Sequence, residues 1–79
     1  MKTMTCRQLG GACEKTFHGN TFEELAAQSR QHGMEMMQAN DAAHLQAMKE
    51  MREHMTTPEK MKEWMDGKKK LFDSIPHSN

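Results

Sequence analysis

Two cysteines, Cys6 and Cys13, flank Leu9-Gly10-Gly11 near the start of a 79-residue chain that also carries five histidines. Thiolates and imidazoles are the donors with which zinc builds tetrahedral sites, and a turn supplying two thiolates beside a helix supplying an imidazole would staple a small domain. Cys6, Cys13 and His32 are the candidate ligands on this reading. The fourth position falls to His44, His18 or a water. The spacing of the cysteines differs from the usual Cys-x2-4-Cys, so other uses stay open. Both can serve as small buried hydrophobes beside the turn, with His32 half-exposed. A Cys6–Cys13 disulfide would close a short loop and contribute roughly 2–3 kcal/mol by restricting the unfolded chain. Neither cysteine opens a helix in a Cys-x-x-Cys arrangement, which argues against thioredoxin-like activity.

Ten methionines are the second chemical resource. Met34, Met36, Met37, Met48, Met51, Met55, Met61 and Met65 recur at helical spacing near His32, His44 and His54, and thioethers together with thiolates suit Cu(I). Copper ranks below zinc, because these methionines coincide with the faces that helices must bury. Where burial is incomplete, the same flexible side chains offer an adaptable surface for a second copy or a helical partner. Met4 and Met34 fall away from the expected main faces and are the first candidates for exposure.

Eleven basic residues balance eleven acidic ones, and the longest basic run is Lys68-Lys69-Lys70. That distribution lacks the footprint of a nucleic-acid binder. No run of 18 apolar residues exists and no apolar core of an export signal opens the chain, so a soluble, cytoplasmic protein without a membrane span is expected. In that compartment thiols stay reduced, which favours metal ligation over a structural disulfide. No serine stands in a nucleophile elbow and Gly10-Gly11 lacks the surroundings of a phosphate loop, so a non-enzyme is expected.

Positioning these groups falls to a short ribbon and three helices. Lys2 to Cys6 alternates in polarity, Lys15 to His18 does so more weakly, and the glycines between them imply a hairpin over about 2–18 with a seven- or eight-residue connection. Thr21-Phe22-Glu23-Glu24 is a capping box, with the Thr21 hydroxyl on the Glu24 amide and the Glu24 carboxylate reaching back to the Thr21 amide. Phe22, Leu25, Ala26, Ser29, Gly33, Met36 and Met37 make one stripe, so a helix runs over about 22–39 with Asn40 as its C-cap. His32 lies at the edge of that stripe. Asp41 caps a second helix over about 42–55, with Leu45, Met48, Met51 and Met55 as its stripe and His44 on the apolar side. Thr57-Pro58 opens a third over about 58–75, bearing Met61, Trp64, Met65, Leu71, Phe72 and Ile75, with a kink expected at Gly67 and a stop at Pro76. Residues 77–79 read as a disordered tail.

The opening Met1-Lys2-Thr3-x-Thr5-Cys6-x-x-Leu9-Gly10-Gly11-x-Cys13-Glu14, followed by Gly19-x-Thr21 and the Glu23-Glu24-Leu25 helix start, resembles a bacterial family of short proteins catalogued as a domain of unknown function. The resemblance covers about the first 33 residues. It implies a hairpin-plus-helix fold and no reaction. In that family the first helix tends to carry a histidine eleven residues after the capping threonine, where His32 stands, and a second one five residues later, where this chain has Met37.

The fold expected is therefore α+β: a single domain over 1–76 with an N-terminal β-hairpin on a three-helix, mostly antiparallel bundle. The function expected is a small zinc module using Cys6, Cys13, His32 and His44, with His18 as an alternative fourth ligand. The competing reading is a metal-free interaction or dimerisation protein that uses its Met-rich helices.

Overall fold

The computed structural model describes residues 1–77, and the last two positions of the expected tail lie outside the described residues. Strands β1 (Lys2–Thr5) and β2 (Thr16–Gly19) form an antiparallel ribbon, and helices α1 (Phe22–Gln38), α2 (Ala42–His54) and α3 (Pro58–Ser74) follow. This is the α+β arrangement of hairpin and helices. No helix among the described residues is long and apolar enough to cross a membrane.

Met4 faces Phe17 across the ribbon, and both are buried. The outward expectation for Met4 is therefore wrong. Strand periodicity sets Lys2, Met4 and Cys6 on one side, and that side faces the core. Leu9, Phe17, Phe22, Leu25 and Phe72 complete the buried cluster, with Cys13, Ala26, Met65 and Ile75 packed against it. A two-stranded ribbon is marginal alone, and burying Met4 and Phe17 in this cluster is what secures it.

The link between the strands runs from Cys6 to Lys15, longer than expected, because it contains a 3-10 turn at Arg7–Leu9. That turn has its own reciprocal cap. The Thr5 amide donates to Gln8 Oε1 at 2.8 Å and the Gln8 amide donates to Thr5 Oγ1 at 3.1 Å. Gly10 closes the turn at φ 97°, a left-handed conformation that favours glycine.

At the start of α1 the Glu24 amide donates to Thr21 Oγ1, as a capping box requires. The Glu24 carboxylate accepts from the Asn20 amide at 2.9 Å, one residue further back than expected. The other end of α1 differs in a way that matters for the site. Ala39 is the C-cap and Asn40 stands beyond it at φ 56°. The Asn40 amide donates to Met37 O and the Asp41 amide to Met36 O, the paired bonds of a Schellman turn. Asp41 then caps α2 at once, so α1 and α2 are joined with almost no slack.

The second and third stripes bury less than their periodicity implied. His44 is the buried residue of α2 and Phe72 that of α3. Leu45, Met61 and Leu71 are exposed. Helix α3 continues as helix through Gly67 and ends at Ser74, with Ile75 extended before Pro76. Its far end is tied down by Lys2, whose ammonium donates to Phe72 O at 2.9 Å and lies 4.3 Å from the centre of the Phe72 ring. The Phe72 ring meets Phe22 edge-on. The molecule is a thin plate of 35 × 30 × 15 Å.

Candidate metal centre

Cys6, Cys13, His32 and His44 converge, each offering one ligand atom, and those atoms all lie within 4.8 Å of one another. The 3-10 turn brings in Cys6 at its start, and the Cys13 carbonyl accepts from the Arg7 amide at 3.0 Å, which draws the second cysteine back beside the first. Gly11 makes the fold-back feasible, because a Cβ there would collide with Cys6 Sγ. His32 comes from the middle of α1 and His44 from the first turn of α2. Among the described residues this is the group of Cys, His and carboxylate side chains with the proximity to hold a metal ion.

Cys13 Sγ lies 3.3 Å from His32 Nε2, and Cys6 Sγ lies 3.6 Å from His44 Nε2. Zinc bonds of about 2.3 Å to sulfur and about 2.0–2.1 Å to nitrogen imply sulfur–nitrogen edges of about 3.5–3.6 Å in a regular tetrahedron. The two observed separations bracket that edge. The imidazoles stand edge to face, 5.1 Å between ring centres, and Phe17 packs edge-on against His32.

The His44 ring is held from behind. Asp41 Oδ2 lies 2.6 Å from its Nδ1, so Nδ1 donates to the carboxylate and Nε2 is the ring nitrogen turned toward the sulfurs. A carboxylate behind a ligating histidine is the usual outer partner in such sites.

The electrostatics follow from this packing. Burial pushes the Cys6 thiol up, an effect that the Cys13 and Ala12 amides directed at its sulfur offset in part. Burial also raises Cys13, but the Lys15 amide, the His44 ring and the Cys6 thiol together outweigh it and hold Cys13 below the ordinary thiol value. Amide donors on sulfur favour thiolate, the form that binds metal. The hydrogen bond to Asp41 raises His44 in spite of burial, and burial, then the charge of His44, lowers His32.

His18 stands apart from the group. It is exposed, paired with Thr3 on the outer face of the ribbon, with its Nδ1 2.8 Å from Thr3 Oγ1. Strand parity is the reason: with Phe17 turned inward, His18 must face out. His32 is buried rather than half-exposed, because the stripe of α1 is phased through Phe22, Leu25, Ser29 and His32 and leaves Met37 outside. Asp41 does more than cap: Asp-x-x-His on a first helical turn is a spacing that allows bonds to both the amide and the ring of His44. Thr5-x-x-Gln8 carried the signal for the turn that positions Cys6. No protein-family model, curated protein or solved structure matches this chain.

Proposed function

We propose that the protein is a small zinc-binding module in which Cys6, Cys13, His32 and His44 form a structural centre clasping the turn after β1 to α1 and α2. The observation that carries this reading is the mutual approach of four good zinc donors, drawn from one turn and two helices, to within 4.8 Å. A donor set of two sulfurs and two imidazole nitrogens favours zinc over the thioether-rich set that cuprous copper prefers. Four protein ligands leave no open coordination position, the mark of a structural rather than a catalytic site. The need is physical as well. Among the described residues the buried apolar set comprises seven side chains, a small core of the kind that chains of this length supplement with a metal.

The test is metal analysis of protein purified under reducing conditions, followed by thermal melting with and without a strong chelator. One zinc per chain and a lower melting temperature after chelation are expected. Substoichiometric metal with an unchanged melt would end the reading.

A second reading rests on Met34, Met37 and Met61, which are 56%, 49% and 49% exposed. They suit association with another copy or a helical partner. Light scattering across a concentration series tests it, and a monomer throughout, with no binding of a hydrophobic dye, opposes it.

A further inference from the structure

The clasp joins parts of the molecule that little else joins. Between Asn40 and the end of α3, the buried side chains among the described residues are His44 and Phe72. Met65 packs partly on the core, and Met48 and Met51 rest near Gly33 and Gly10. His44 is therefore the one buried side chain of α2, and its ring faces a cysteine.

We propose that the centre is a redox-gated clasp: a peroxide converts Cys6 and Cys13 to a disulfide, the metal leaves, and α2 undocks from the hairpin. The inference rests on the zinc reading above and adds its regulation. Three observations support it. Both cysteines are free thiols whose sulfurs lie within 4.8 Å of each other. The backbone beside them is already paired, Cys6 N to Lys15 O at 2.8 Å and Arg7 N to Cys13 O at 3.0 Å, which holds the two residues side by side. The metal would link the turn to two helices, whereas a disulfide links the turn only to itself and leaves His32 and His44 without their sulfur partners.

The order of events follows exposure. Cys13 is half-buried and Cys6 is 3% exposed, so Cys13 meets the oxidant first. Its thiolate attacks one peroxide oxygen, forming an S–O bond as the O–O bond breaks and hydroxide leaves. The Cys6 thiolate then attacks the Cys13 sulfur, forming the S–S bond as the S–O bond breaks and a second hydroxide leaves. Two solvent protons convert the hydroxides to water, and the sulfur pair has given two electrons to the peroxide.

The experiment adds hydrogen peroxide to the reduced, zinc-loaded chain while a chromogenic chelator reports free zinc, intact mass reports sulfur chemistry, and hydrogen exchange reports backbone opening. Expected is one zinc released per disulfide, a mass lower by two hydrogens, and amide exchange across α2 faster by about tenfold or more while β1 and β2 stay protected. Reductant with zinc should reverse all three. Chelation without oxidant should open α2 equally, because the metal and not the disulfide does the seating. Zinc retained under peroxide, a mass gained in oxygen atoms alone, or an α2 indifferent to zinc loss each overturns the inference while the zinc reading stands. A reduced chain that takes up no zinc overturns both.

Discussion

A single carboxylate oxygen of Asp41 serves His44 twice, accepting its backbone amide at 3.0 Å and meeting its ring Nδ1 at 2.6 Å. Helix capping and ring orientation are thereby one interaction, and they can be separated by mutation. Asn caps a helix about as well as Asp but brings no charge to the ring. Asp41→Asn should leave helix content unchanged and weaken zinc binding by about 10–100-fold, the usual effect of losing an outer-shell partner. Competition against a chelator of known affinity measures it, and an unaltered affinity would show that the carboxylate does not tune the ring.

The same pair gives the metal-free protein a defined pH response. Asp41 raises His44 above its ordinary value of about 6.5, so its stabilisation is complete below that value and is lost as pH rises through the raised one. His44 lowers Asp41 below its ordinary value of about 3.9, so that contribution is present above about pH 4 and is lost as pH falls through the lowered one. The melting-temperature gap between the metal-free parent and metal-free Asp41→Asn should therefore be widest between about pH 4 and 6.5 and close on either side. His32, lowered chiefly by burial, adds an acid-side loss to both proteins, somewhat larger in Asp41→Asn because the Asp41 charge that raises it is gone. In the zinc-loaded protein affinity should fall steadily with acid, since protons compete for the thiolates and imidazoles. Chelator competition across pH checks that trend.

Gly11 should be as sensitive as a ligand although it ligates nothing. A Cβ at this position would run into Cys6 Sγ and press on the Cys6 carbonyl. Gly11→Ala should cost the metal-free fold about 1–3 kcal/mol through overpacking, with a large loss of zinc affinity. Gly67→Ala is the control: nothing lies within 4 Å of its added Cβ, and it sits inside α3. It should stabilise by about 0.5–1 kcal/mol. Urea unfolding of both variants, with equal losses or equal gains, would refute the distinction.

Lys2 should matter to the far end of the chain. Its ammonium satisfies the Phe72 carbonyl at 2.9 Å and approaches Asp73 O at 3.5 Å, and its burial leaves it 8% exposed. Lys2→Met keeps most of the aliphatic stem and removes the charge from the helix terminus. A loss of about 1–3 kcal/mol is expected from the charged hydrogen bond and the ring contact together. Urea denaturation checks it, and a melt equal to the parent's would show that the contact contributes nothing.

How much of this could be read beforehand depends on how local each determinant is. The caps Thr21, Asp41 and Thr57 act within three residues of themselves, and they marked all three helix starts. The convergence of Cys6, Cys13, His32 and His44 was legible as chemistry, but which fourth group joins them is a matter of strand parity and helix phase. A one-residue change in parity would have exchanged Phe17 for His18. The burial of Met4 and Lys2 stayed hidden because it depends on α1 and on the end of α3 returning to the ribbon, contacts distant in sequence. The methionines misled for the opposite reason: regular spacing on α2 and α3 signals a face, not whether anything covers it.

The Schellman turn at Asn40 and the Phe22–Phe72 contact sit at opposite ends of the segment that α2 and α3 span. That segment is a bight pinned at both margins. Once unlatched it cannot drift away, so its return is a unimolecular event whose rate is independent of dilution, and the histidine it carries remains in the vicinity of its sulfurs at high effective concentration.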